Sequence, residues 1–269
     1  MTDHAAAPRI VIAQVSDIHL GRDEQVVADG LLADIASHSP TAVVVSGDLT
    51  MRARSHQFEA ARAYLNQLPQ PVVVVPGNHD IPLHDLVTRL SGPFDKYRKH
   101  ISDELDPVLH VPGATILGLN SMPRWRWKAG HISGRQGELI EAVLGSAPPG
   151  DVRVLVSHHP VLPKDLSGMV NRSDVVGSAA RAKVDLLLSG HTHDPLVAPV
   201  ILSTTDVERE ALSVVAGTAI STRRRGANNS YPVITVTSDQ ISVDVRQWNG
   251  KGFVTALHAT FDRQLEERS

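Results

Sequence analysis

Short, wholly apolar runs recur along the first two thirds of the chain, and each ends on polar residues. Ile10 to Val15 leads to Asp17 and His19, Ala42 to Val45 to Gly47-Asp48, and Val72 to Val75 to Gly77-Asn78-His79-Asp80. Val152 to Val156 leads to His158-His159, and Val184 to Leu188 to Gly190-His191-Thr192-His193. Continuous runs of branched apolar residues suit strands buried on both faces. Helix-period stretches lie between them, among others Gln25 to Ser37, Gln57 to Leu68 and Arg135 to Leu144. This rhythm predicts β-α-β units around a buried sheet.

The second half reads differently. Ala211 to Ala216, Pro232 to Thr237, Ile241 to Val245 and Phe253 to Ala256 follow one another with only turns such as Ser238-Asp239 and Asn249-Gly250 between them. They are expected to form antiparallel strands of a second sheet. The fold class is therefore α/β, passing to α+β in the second half, with a two-sheet core and helices outside. No linker, internal repeat or low-complexity segment divides the chain, so a single domain over residues 1–269 is expected. The charged tail from Asp262 to Ser269 is expected to fray.

Composition narrows the chemistry. A chain of 269 residues can bury a large core, and a net charge of -3 with mixed signs argues against a dedicated nucleic-acid binder. Cysteine is absent, which removes disulfides, thiolate ligands and thiol nucleophiles together. Residues 1–8 are short and polar, and no run of about 18 apolar residues occurs, so the expectation is a cytoplasmic protein without a membrane span.

Polar residues at the ends of parallel strands gather on one edge of a sheet, where open α/β folds bind ligands. In extended backbone Asp17 and His19 project to the same side, as do His191 and His193. Gly47 allows close approach or a sharp turn before Asp48. Carboxylates, an amide and imidazoles together suit Mn(II), Fe or Zn rather than a thiolate-type structural zinc site.

The ordered set Asp17-x-His19, Gly47-Asp48, Gly77-Asn78-His79-Asp80, His158 and Gly190-His191-Thr192-His193 resembles the calcineurin-like metallophosphoesterase superfamily, and most closely its bacterial class III cyclic-nucleotide phosphodiesterase branch. The resemblance implies a four-layer αββα sandwich of two mixed sheets flanked by helices. It implies two divalent metal ions, Mn or Fe foremost, with Zn, Co or Ni as other occupants. One ion would be held by Asp17, His19, Asp48 and His193, the other by Asp48, Asn78, His158 and His191, with Asp48 bridging. His79 would contact phosphoryl oxygens or protonate the leaving group, and Asp80 would orient it.

Two adjacent cations neutralise a phosphate and make a bridging hydroxide available near neutral pH. The implied reaction is hydrolysis of a small phosphodiester, a cyclic nucleotide or glycerophosphodiester, without a covalent intermediate. A phosphomonoesterase, a nucleotide-pyrophosphate hydrolase and a catalytically weak scaffold that binds a protein partner are the alternatives.

Substrate contacts are less defined. Asn78, His79, His159, Asn120 and Arg52 are the candidates; His159 either supports a ligand from behind or meets substrate. Arg52 and Arg54 either clamp a phosphate or face water. Trp125 and Trp127, among Arg124, Arg126 and Lys128, either stack on a base or cover a hydrophobic flank. His131 is within reach of a substrate, whereas His4, His38, His56, His84 and His100 read as surface residues. Leu162, Leu166, Met169 and Val170 give Pro160 to Ser173 an apolar side suited to a lid, a lipid-facing patch or a homodimer contact. Arg223-Arg224-Arg225 reads as a flexible basic turn unless the second sheet brings it over the metals.

Overall fold

The apolar runs are continuous because each is a strand with a core on either side. In the computed structural model, which describes residues 9–83, 85–123, 129–163, 168–224 and 226–263, two six-stranded sheets face each other. The first contains β1 (Ile10–Val15), β2 (Ala42–Val45) and β3 (Val72–Val74), all parallel. The second is built from β4 (Val108–Val111), β5 (Ala114–Leu119), β6 (Val152–Ser157), β7 (Leu186–His193), β8 (Leu196–Ser203) and β9 (Glu208–Gly217), ordered β4-β5-β6-β7-β9-β8. Within it β5, β6, β7 and β9 run parallel, and β4 and β8 close the edges antiparallel.

Ile12, Val44 and Val73 from one sheet meet Ile116, Val154 and Leu186 from the other in an inter-sheet core. The alternate residues Val11, Val15 and Val43 face outward beneath α1 (Gln25–Ser37) and α2 (Ser55–Leu65), where Leu31, Ile35 and Phe58 are buried. On the opposite side Leu117, Leu155 and Leu187 pack under α5 (Gly134–Leu144) and α6 (Arg172–Arg181). Two short helices, α3 (Leu86–Ser91) and α4 (Asp95–His100), lie in the crossover between the sheets. The layers are thus helix, sheet, sheet, helix. No helix among the described residues is long and apolar enough to cross a membrane.

The C-terminal strands depart from expectation. β10 (Ser230–Val236), β11 (Gln240–Trp248) and β12 (Phe253–Asp262) do not form a second sheet; β10 pairs antiparallel with β1, Ile12 opposite Ile234, giving the order β12-β11-β10-β1-β2-β3. The cause is two-sided burial of β10: Tyr231 and Val233 enter the helix-covered core, and Ile234 and Val236 the inter-sheet core. A strand with two apolar faces needs a central place.

Of the histidines read as surface residues, His56 is exposed, but His38 and His100 are half-buried, His38 beside Asp34 and His100 stacked on Phe58. His4, His84, residues 124–128 with Trp125 and Trp127, Leu166, Arg225 and the tail beyond Arg263 lie outside the described residues.

Candidate metal centre

The carboxyl ends of β1, β2, β3, β6 and β7 deliver Asp17, His19, Asp48, Asn78, His158, His191 and His193 into one cluster between the two sheets rather than along the edge of one. Asp17 to Asp48 to Asn78 descend the first sheet; His158, His191 and His193 come from the second. Gln14 ties the sheets just below, its Nε2 donating to the Ser189 carbonyl at 2.8 Å.

Local backbone differs from the extended form expected of the Asp-x-His and His-x-His pairs. Asp17, His19, Asp48, His191 and His193 have φ of 53°, 50°, 55°, 72° and 64°. Non-glycine residues in this left-handed region carry strain of about 1 kcal/mol or more each and gather at functional sites. Hydrogen bonds hold the turns: Asp17 N–H donates to Gly47 O at 3.1 Å and His19 N–H to Asp48 O at 2.9 Å.

The spacings are those of ligands around a cation. His193 Nε2 and His19 Nε2 stand 3.5 and 3.6 Å from Asp17 Oδ1. Asp48 Oδ2 stands 3.5 Å from His158 Nε2 and 3.7 Å from His19 Nε2. These are too long for hydrogen bonds. Three of them fall within, and the fourth just above, the roughly 3 to 3.6 Å between neighbouring ligand atoms that each bind a metal at about 2.1 Å. Asp17 Oδ1 and both His19 nitrogens are buried without a hydrogen-bond partner, a costly arrangement that a bound cation relieves. Asn78 Oδ1 lies 3.1 Å from His158 Nε2 and 3.0 Å from His191 Nδ1, making a second group around Asp48.

In His158, His193, Asp17 and Asp48 the other polar atom is already engaged, which aims the free one inward. His158 Nδ1–H donates to Ser46 O at 2.8 Å, and His193 Nδ1 meets Thr218 Oγ1 at 2.7 Å. Asp17 Oδ2 accepts from Ser16 Oγ at 2.8 Å and His191 N–H at 3.0 Å, leaving Oδ1 for a ligand. Asp48 Oδ1 accepts from His79 N–H at 2.8 Å, leaving Oδ2 between the two groups.

Electrostatics follow from this crowding. Burial opposes ionisation of Asp17 and Asp48, but the surrounding histidines, His19 at Asp17 and His158 at Asp48, outweigh it and hold both below the usual carboxylate range. Burial opposes charge on His19 and His158 too; the two carboxylates prevail, raising His19 and holding His158 up at about 9. Burial, aided by the charge on His158, lowers His191 to about 4, and burial also lowers His193 and His79. Protons on His19 and His158 therefore occupy positions that a cation would take.

Two motif glycines are required by close approach. A Cβ on Gly47, whose φ is +95°, would lie 2.6 Å from His158 Nδ1; one on Gly77 would lie 2.2 Å from Asp48 Oδ1 and 2.3 Å from the Asp48 main-chain nitrogen. Main chain cannot swing aside. Gly77→Ala is expected to displace Asp48, cost about 2 kcal/mol or more of stability and lower metal retention after dialysis; a normal melting temperature with full metal content would contradict this.

Asp80 makes no hydrogen bond to the His79 ring. Its carboxylate accepts from the main-chain N–H groups of Leu49, Thr50 and Gly77 at 3.1, 2.8 and 2.9 Å, so it staples the Gly77–Asp80 turn to the Asp48 loop. Burial and Asp48 push it up to about 6 against those donors. His79 is instead oriented through Nδ1, which meets Met51 O at 2.8 Å. The carboxylate was needed by three N–H groups that no side-chain pattern reveals.

His159 is fully buried, with Nδ1 2.9 Å from Ser121 Oγ and its ring centroid 4.5 Å from that of His191, so it backs His191. Arg52 is exposed. Asn120 turns back on itself, its Oδ1 accepting from Met122 N–H at 3.0 Å, and lines a cleft of about 1220 Å³ with Phe94, Asp106, His131 and Gln136. No residue of the Asp and His cluster lines that cleft. Arg223, read from sequence as part of a flexible basic turn unless the second sheet brings it over the metals, reaches the site: its Nη1 lies within hydrogen-bond distance of His79 Nε2. The signal was only a triple-arginine turn.

Known proteins share these features. A protein of Synechococcus sp. named probable cyclic nucleotide phosphodiesterase is 28% identical over 208 residues, covering 71% of this chain and 76% of its own. The glycerophosphodiester phosphodiesterase GpdQ of Enterobacter lignolyticus is 28% identical over 176 residues, 57% of this chain and 58% of that protein. Among solved structures, that of PhoD superposes with a TM-score of 0.75 at 13% identity, covering 96% of this chain and 70% of PhoD. The purple acid phosphatase PPD1 of yellow lupin (Lupinus luteus) gives 0.70 at 12% identity, covering 96% and 54%. Those two likenesses establish the fold. The calcineurin-like phosphoesterase model matches residues 10–195, a span holding every strand-end Asp, Asn and His of the cluster, and the chain belongs to that family of metal-dependent phosphoester hydrolases.

Proposed function

We propose that the chain is a single-domain, binuclear metal-dependent phosphodiesterase acting on a small phosphodiester, a cyclic nucleotide or a glycerophosphodiester. The observation that carries this is Asp48 Oδ2, buried and placed between two donor groups. Asp17, His19, Asp48 and His193 would hold one ion; Asp48, Asn78, His158 and His191 the other. The mixture of carboxylate, amide and imidazole donors suits Mn(II) or Fe. Bound there, the two ions supply positive charge to the phosphoryl group and make hydroxide available as a nucleophile near neutral pH.

The chain's own residues set the remainder. His79, its Nδ1–H committed to Met51 O, turns Nε2 outward as the nitrogen that meets a phosphoryl or leaving-group oxygen. Protonation of a departing alkoxide requires the imidazolium, which the negative charge of a bound substrate favours. Asp80 keeps His79 within reach of the ions by fixing both loops. His159, held by Ser121, packs against His191. The names of the two relatives described above, one for cyclic nucleotides and one for glycerophosphodiesters, support diester rather than monoester substrates.

Metal-stripped protein reloaded with Mn(II) should hydrolyse bis(p-nitrophenyl) phosphate faster than p-nitrophenyl phosphate in initial-rate assays. Monoester preference would make it a phosphatase. Turnover of neither substrate with metal bound would favour the partner-binding scaffold.

A further inference from the structure

The loop from β9 to β10 carries Arg223 to the centre, and nothing in the ligand set accounts for it. Its placement is built, not incidental. Asn229, fully buried, donates through Nδ2 to Ser221 O at 2.9 Å and Thr218 O at 3.4 Å. Ser221 Oγ, Thr222 N–H and Thr222 Oγ1 all donate to the Arg22 carbonyl, at 3.0, 2.8 and 3.0 Å, just beyond His19. Arg224 closes the clasp with an ion pair to Glu24 at 2.8 Å. Thr218 Oγ1 also joins the loop to the centre, lying 2.7 Å from His193 Nδ1 and 3.4 Å from Arg223 O.

Within this clasp the two arginines differ. Arg224 has its carboxylate, whereas among the described residues no carboxylate lies within ion-pair distance of Arg223. The half-buried guanidinium of Arg223 rests on a neutral acceptor, His79 Nε2, whose other nitrogen is engaged by Met51 O. A phosphoryl oxygen is a far better acceptor for that guanidinium, because charge-assisted bonds are about twice as strong and the planar fork matches two oxygens at once. The place it occupies is the place a substrate oxygen must reach to meet His79.

We propose that Arg223 is a phosphate-binding residue of this site, leaving His79 Nε2 on substrate arrival to donate two hydrogen bonds to non-bridging phosphoryl oxygens. The inference rests on the phosphodiesterase reading for its substrate, but not for its first test. Arg223 would then hold the phosphate beside the His79 ring and leave His79 free for the leaving group.

Calorimetric titration of inorganic phosphate into Mn(II)-reloaded wild type, Arg223→Gln and Arg223→Lys tests it, with metal content and melting temperature measured alongside. Arg223→Gln should bind phosphate about tenfold or more weakly at unchanged metal content, Arg223→Lys should recover part of the loss, and kcat/KM for bis(p-nitrophenyl) phosphate should fall in parallel. Wild-type phosphate affinity in Arg223→Gln, or no phosphate binding by wild type at millimolar concentration, would overturn the proposal. If phosphate binding depends on Arg223 while diesters are not turned over, the diester reading fails and this inference stands. If diesters are hydrolysed and Arg223→Gln binds phosphate normally, the inference alone fails.

Discussion

Asp48→Asn should strip bound metal from the protein and lower turnover on the order of a thousandfold, about 4 kcal/mol of barrier. The substitution keeps the shape of the side chain and removes its charge. Asp48 Oδ2 faces His158 Nε2 at 3.5 Å and His19 Nε2 at 3.7 Å, so a carboxamide places either a neutral oxygen or an N–H group among nitrogens that need to face a cation. Its Oδ1 holds the His79 main-chain N–H, a bond an amide oxygen can keep, so the fold should survive. His79→Asn provides the contrast: His79 reaches the centre with a ring engaged by Met51 O and Arg223, and its loss should cost turnover about a hundredfold while metal content stays near wild type. Metal content and kcat measured on both variants separate the two roles; equal metal loss in both would contradict the division.

Raising the pH from 6.5 to 9 should destabilise metal-free protein while leaving the metal-loaded form steady or better. In the folded metal-free state His158 keeps its proton up to about pH 9, where burial works against it and the Asp48 carboxylate prevails. An unfolded histidine releases its proton near 6.5. The stabilisation is thus complete below about pH 6.5 and is lost as pH rises through 9, a difference of roughly 3 kcal/mol. His19, also raised, acts in the same direction. The lowered Asp17 and Asp48 contribute stability that fails only in acid, outside this window. With ions bound as proposed, His158 and His19 would be neutral ligands and proton competition would weaken as pH rises. Melting temperatures of both forms across this range should diverge; parallel curves would show that the histidines are not exchanging protons for metal.

The strand-end chemistry was legible because strands buried on both faces leave only their ends for polar groups. Gly77, Gly190 and the flanking Asp, Asn and His stand out after runs such as Val72 to Val75 for that reason. The left-handed backbone at Asp17, His19, Asp48, His191 and His193 was not legible, since non-glycine residues announce no such conformation and the turns at Asp17 and His19 are held by hydrogen bonds to the Gly47-Asp48 loop beyond β2. Edge strands were also hard to read: β12 is exposed along most of its length, so Phe253 to Ala256 was all the apolar pattern showed of a strand reaching Asp262. The sheet to which β10 belongs is decided by two cores at once. Arg223 was hidden more deeply, because a basic turn has the same sequence whether it faces water or His79, and its position depends on contacts to Arg22, 200 residues away from Thr222 in the chain.

Anomalous scattering from crystals of the Mn(II)-loaded protein tests the shared-carboxylate account most directly. It should show two peaks about 3.5 to 4 Å apart, with Asp48 Oδ2 between them, Asp17, His19 and His193 around one, and Asn78, His158 and His191 around the other. A single peak, or a pair not bridged by Asp48, would contradict it.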